Sequence, residues 1–376
     1  EILHNDTLTL DTHIDIPLTY MTEIDPSGNT NLQVDLPKLR KGNLDSGFWV
    51  VYTPQDYLTK DAYAEALEIA EIRNNAIHAL TKKHSDYFEL ALNAADVGRI
   101  VNNGKHAVLI GMENAFPLGE NLKDVNLWAE RGVRYMGITH FGHNQFGDSS
   151  NPSTDRNETT SKWNGLSSLG RELISSLNDA GIIVDVSHAA KSTMMQAADL
   201  SRVPVIASHS GIKAINDNPR NLDDEQLLKL KETGGVVQVV AYGSYVKGFT
   251  EEQKKIEARL MSEFNVLSRS DVNGLDEDEK IEFEQARAEL LEMEPLASVS
   301  DYVDHIDYAV KIAGIDHVGI ASDFDGGGGV IGWQDVSETQ NITAELIKRG
   351  YSESHIAKIW SGNILRVMRE AEQGSR

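Results

Sequence analysis

LDTHIDIP, residues 10–17, places a histidine and an aspartate two positions apart inside a run that otherwise reads as buried strand. Side chains alternate across a strand, so His13 and Asp15 project to the same side. A charged or imidazole group on a packed face needs compensation. The pair marks either a hydrogen-bonded core feature or the rim of a site, and taken alone it leaves both open.

The run is the first of eight. Strand-like apolar segments occupy 7–15, 47–53, 106–113, 132–140, 181–188, 204–210, 235–241 and 317–323, with amphipathic helical patterns at 62–83, 170–180, 223–233, 303–313 and 352–372. Strand-then-helix order over a chain of 376 residues fits a single (β/α)8 TIM barrel spanning 1–376 better than an open sheet. One stretch breaks the rhythm: 249–294 is long, charge-rich and helical in propensity. It lies between the seventh and eighth strands, where a barrel builds its active site, and reads as a helical insertion acting as lid, dimer contact or solvated hairpin. The glycine run 326–329 lacks the Lys-Ser/Thr of a phosphate loop and reads as a flexible connector.

Composition narrows the chemistry. A formal net charge of −23 disfavours nucleic acid and anionic membrane as partners, since polyanions would be repelled. No apolar run reaches the roughly 18 residues needed to span a bilayer, so membrane insertion is not expected. With no cysteine in the chain, any metal must be held by histidine and carboxylate. The sequence begins at Glu1 rather than Met, which suits an exported or periplasmic protein, although a trimmed cytoplasmic chain would look the same.

The feature of LDTHIDIP recurs at the other strand ends. VLIGMEN carries Glu113, YMGITH ends in His140, IIVDVSH in His188, PVIASHS carries His209 and VGIASDFDG carries Asp323. A barrel would bring these ends together, whereas His78, His84, His305 and His355 fall on helical stretches and His106 and His317 at strand beginnings. Such a cluster without basic residues calls for a divalent cation, zinc first among those that take nitrogen and carboxylate oxygen. His13, Asp15, Glu113, His188 and His209 are too many ligands for one tetrahedral zinc that must keep a water, and enough for two if Glu113 bridges. Two metals about 3.5–4 Å apart can activate a hydroxide and polarise a carbonyl, which is hydrolytic machinery. Asp323 would then serve as general base and His140 would face the developing oxyanion. Asp325 reads as a turn residue, and His143 and Asp148 carry no assignment.

The segments DTHID, GMEN, GVRYMGITH, NGLSSLGRELISSLNDAGIIVDVSH, PVIASHS, NPRNLDDEQL, VGIASDFDG and IWSGNILRV, in this order, resemble the membrane dipeptidase (renal dipeptidase) family within the amidohydrolase-type barrels. The resemblance runs from residue 11 to about 368. It implies a zinc dipeptidase in which His13 and Asp15 bind one Zn2+, His188 and His209 the other, and Glu113 bridges them. It further implies that His140 contacts the oxyanion, that Asp323 is the acid/base, and that Arg220 binds the terminal carboxylate of a small dipeptide substrate. Tyr242 would line the same pocket. Tolerance of a D-residue at the second position and a homodimer are family expectations. The membrane attachment of animal members is not carried over, because the cysteines and apolar tail that accompany it there have no counterpart in this sequence. Two rival readings stay open: a related barrel hydrolase acting on a lactone, phosphoester or non-peptide amide, and a metal-binding barrel without catalysis.

Overall fold

The computed structural model describes residues 2–265, 277–292 and 297–376. Its strands, in chain order, are β1 Leu10–Ile14, β2 Ser46–Tyr52, β3 Phe88–Leu90, β4 His106–Glu113, β5 Val133–Gly137, β6 Ile183–Asp185, β7 Ile206–Ser210, β8 Val236–Val240 and β9 Val318–Ala321. All pairings are parallel, in the order β1-β2-β4-β5-β6-β7-β8-β9. The ring closes where Asp323 N donates to the His13 carbonyl at 3.1 Å and Asp15 N to that of Phe324 at 2.9 Å. The result is the expected eight-stranded (β/α)8 barrel. Its strands are near-continuously apolar because both of their faces are buried, one by the barrel interior and one by helices.

The ninth strand, β3, was not expected from the sequence. It pairs with the start of β4, Phe88 opposite His106, along an edge that β5 joins only from Ile110 onwards. Three residues carry too little periodicity to announce a strand. The expected strands were also too long at their ends: β5 stops at Gly137 and β6 at Asp185, so His140 and His188 stand on the loops that follow.

Local chemistry sets the helix boundaries. Thr59 caps Lys60–Lys83, and Ser167 caps Ser168–Asp179. Asp223 with Gln226 forms a capping box for Asp224–Thr233, and Ser298 with Asp301 does so for Val299–Ala313. The expected last helix is divided into Glu353–Ala357, a π turn at Lys358–Gly362, and Asn363–Gly374.

Between β8 and β9 the helices Glu251–Glu263 and Glu277–Glu292 occupy the expected insertion, and Phe264 meets Phe283 edge-on at 5.4 Å. Positions 266–276 and 293–294 of that insertion lie outside the described residues. The glycine run differs from the expected flexible connector: Gly328 N donates to the Asp323 carbonyl at 2.7 Å and Gly329 N to that of Ala241 at 2.8 Å, so it is a hydrogen-bonded turn. No described helix is long and apolar enough to cross a membrane.

Candidate metal centre and active site

The strand ends converge on Glu113. Its Oε1 lies 3.0 Å from His188 Nε2 and 3.1 Å from His209 Nε2, while its Oε2 lies 3.5 Å from His13 Nε2. His13 Nε2 is in turn 3.3 Å from Asp15 Oδ2 and 3.9 Å from Asp323 Oδ1. Ring closure between β9 and β1 is what sets Asp323 beside that pair. His140 Nε2 approaches Glu113 Oε1 at 3.8 Å, and its ring is 4.2 Å from that of His188.

Two of the imidazoles are oriented from behind. Tyr135 Oη donates to the Thr12 carbonyl at 2.9 Å, so it accepts from His13 Nδ1 at 3.0 Å. Ser208 Oγ donates to Asp185 Oδ2 at 2.7 Å and accepts from His209 Nδ1 at 2.8 Å. Each contact places the proton on Nδ1 and turns the Nε2 lone pair towards Glu113, the form in which histidine binds a metal. His13 Nε2 is buried and has no hydrogen-bond partner. A buried acceptor so placed, in a set of three imidazoles and two carboxylates with no thiolate, fits divalent zinc. Ligand atoms of His13, Glu113 and His209, of Glu113, His140 and His188, and of His13, Asp15 and Asp323 each lie within 4.8 Å of one another.

Electrostatics separates the donors: burial by itself would lower the His13 imidazole, but Tyr135, Glu113 and Asp15 beside it raise it well above its usual range. Burial lowers the His188 and His209 imidazoles well below their usual range, helped by the positive groups around them, among which Arg220 acts on both. Both stay neutral, the form in which an imidazole can accept a metal. Burial by itself would raise the Glu113 carboxyl, but the imidazoles packed around it, His13 and His140 first and His188 with them, hold it well below the carboxylate range. Asp323 moves the other way: burial, opposed by His13 and reinforced by the charges of Asp15 and Glu113, raises its carboxyl well above that range. Two acids with separated proton affinities around one imidazole, His13, are the usual sign of divided labour.

Backbone geometry marks the same places. Asn114, His188 and Asp323 adopt left-handed φ of 75°, 66° and 59°, uncommon for residues other than glycine and concentrated at functional sites. The cavity above them measures about 360 Å3 and is walled by Ile16, Tyr52, Arg73, Phe141, Tyr242 and Tyr245 besides the polar cluster. That is room for a small molecule of dipeptide size.

Arg220 is buried beside this cavity. Nη2 donates to the His209 carbonyl at 2.8 Å, the guanidinium lies 5.2 Å from the Tyr245 ring centre, and Nε has no partner. Tyr242 stacks on Tyr245 at 4.3 Å and lies on the cavity wall. Asp325 is the turn residue expected, accepting from Gln33 N and Val34 N at 2.8 and 3.2 Å. His143 and Asp148 organise the long loop after β5: Asp148 accepts from the backbone of Lys162, Trp163 and Gly165, and His143 Nε2 meets the Thr159 carbonyl at 2.8 Å. Arg73, Tyr52, Tyr135, Asp185 and Ser208 were missed by sequence reasoning. Only Gly111 could have hinted at Tyr135, because a Cβ there would overlap the tyrosine ring.

Known proteins share this architecture. Dipeptidase aclJ of Aspergillus oryzae is 30% identical over 92% of this chain and 71% of its own length. The probable dipeptidase PvdM of Pseudomonas aeruginosa superposes with a TM-score of 0.90 at 36% identity, covering 100% of this chain and 98% of that one. A metallo peptidase of Rhodobacter sphaeroides, solved with a phosphinate mimic of L-Ala-D-Ala, shares the fold with a TM-score of 0.73 at 21% identity over 97% of this chain and 100% of its own. Over residues 1–376 the sequence matches the membrane dipeptidase family, peptidase family M19, and the chain belongs to that family of metallodipeptidases.

Proposed function

We propose that the protein hydrolyses dipeptides at a binuclear zinc centre. The observation that carries this reading is the split of Glu113, with Oε1 turned to His188 and His209 and Oε2 to His13, which is next to Asp15. These five residues would hold the two ions, which when bound would polarise the scissile carbonyl and acidify a water at neutral pH.

The remaining work belongs to side chains. Asp323 takes the proton of the attacking water and returns it to the leaving amine. His140, kept neutral by burial, offers an imidazole N–H to the carbonyl oxygen as negative charge develops there. Arg220 secures the terminal carboxylate, for which a planar guanidinium is suited, and Tyr242 flanks it. Selection by carboxylate placement rather than by side-chain handedness would accept a D- as well as an L-residue at the second position.

The test is release of alanine from L-Ala-D-Ala by zinc-loaded and metal-stripped protein, beside N-acetylated and C-amidated analogues. Turnover that needs zinc and falls on amidation is expected. Turnover that persists without metal sinks the mechanism. Two bound metals with no turnover of any dipeptide would favour the non-peptide hydrolase.

A further inference from the structure

Among the described residues, Arg73 is the one lysine or arginine on the wall of the active-site cavity, which otherwise carries the carboxylates Asp15, Glu113, Asp323 and Asp325 and neutral histidines. It extends from the Lys60–Lys83 helix that follows β2. Nε donates to the Ile16 carbonyl at 3.2 Å, and the guanidinium lies 5.5 Å from the centre of the Tyr52 ring. One side of the fork is thereby fixed. Nη1 and Nη2 find no acceptor, and Arg73 forms no ion pair among the described residues. A half-buried, oriented guanidinium with two free donors in a cavity is arranged to receive a planar anion.

Its place in the ring decides which anion. Tyr52 ends β2, and His209, whose carbonyl holds Arg220, belongs to β7. In the order β1-β2-β4-β5-β6-β7-β8-β9 these two strands stand on opposite sides of the barrel. A dipeptide whose terminal carboxylate points to Arg220 therefore turns its first residue towards Arg73. The long-range field of a chain carrying −23 repels anions, so an acidic side chain there requires a local cation.

We propose that Arg73 determines specificity by pairing, through Nη1 and Nη2, with the side-chain carboxylate of the substrate's first residue. The preferred substrates are then dipeptides beginning with aspartate or glutamate, an inference that rests on the dipeptidase reading above.

The experiment compares kcat/KM of the zinc-loaded protein for Glu-Ala against Gln-Ala and for Asp-Ala against Asn-Ala. A charge-assisted pair predicts an acid-to-amide ratio of roughly 10–100. Arg73→Gln should bring the ratio close to 1, and Arg73→Lys should keep part of it. Ala-Glu against Ala-Gln should not depend on Arg73. A ratio near 1 in the unaltered protein, or one that survives in Arg73→Gln, overturns the proposal. So does an Arg73→Gln penalty that disappears on C-amidated substrates, which would place the terminal carboxylate at Arg73. Turnover of Ala-Ala by the unaltered protein scores the dipeptidase reading separately. Calorimetric binding of Glu-Ala and Gln-Ala, with and without Arg73→Gln, scores Arg73 even where nothing is hydrolysed.

Discussion

Tyr135 reaches across Gly111 to hold His13 from behind, its hydroxyl 3.0 Å from Nδ1 while it donates to the Thr12 carbonyl. One phenol thus fixes the tautomer of a buried imidazole whose other nitrogen has no protein partner. Tyr135→Phe should keep the packing and strand an N–H, at a cost of about 1–3 kcal/mol. Zinc affinity should fall about 10–100-fold, read by competition with a chromogenic chelator. Unchanged affinity would show that packing alone orients the ring.

Asp323 and Glu113 differ in what their loss should remove. Asp323→Asn should lower kcat by roughly 10²–10⁴-fold while metal content stays near that of the parent. Glu113→Gln should release metal before anything else, because both of its oxygens face imidazoles. Metal analysis beside steady-state kinetics separates the two.

Gly326 is packed against the centre. A Cβ at this position would overlap Asp15 Oδ2 and Asp323 Oδ1, so Gly326→Ala must push both carboxylates aside. The side chains that yield are short and end in the site. Activity should therefore fall by more than about tenfold with little change in Tm, since misplacement near 1 Å costs on the order of 10²-fold. A large Tm loss with normal kcat in the folded fraction would contradict this.

Asp325 should leave a trace in stability against pH. Burial, with the charge of Asp15 added and backbone donors from Gln33 and Val34 opposing, raises its carboxyl from 3.8 to about 6. A raised folded-state value means that the fold prefers the proton. Its stabilising contribution is present below pH 3.8 and is lost as pH rises through about 6. In zinc-free protein, Asp325→Asn should therefore gain Tm relative to the parent between pH 4 and about 7. A constant difference across that window would mean that Asp325 titrates as an ordinary carboxylate.

Most of the barrel was legible because burial on both faces writes strands as apolar runs, and 106–113 matches β4 residue for residue. The cluster of candidate ligands was legible because polar residues interrupt such runs only where something compensates them. His143 and Asp148 had no such reading. Their work is to hold a loop together through backbone groups of Thr159 and of Lys162 to Gly165, which no spacing announces.

The fold class, the set of strand-end histidines and carboxylates, and the requirement that any metal be held without thiolates can all be read from the chain alone. These follow from alternation, burial and composition, which are local properties of the chain. Long-range contacts were needed to show that Glu113 faces both ways, that Tyr135 and the Ser208–Asp185 pair set the imidazole tautomers, and that Arg73 and Arg220 belong to opposite sides of the ring, beyond β2 and β7. Those relations join residues as far as 147 positions apart, and they exist only once the strands have closed into a ring.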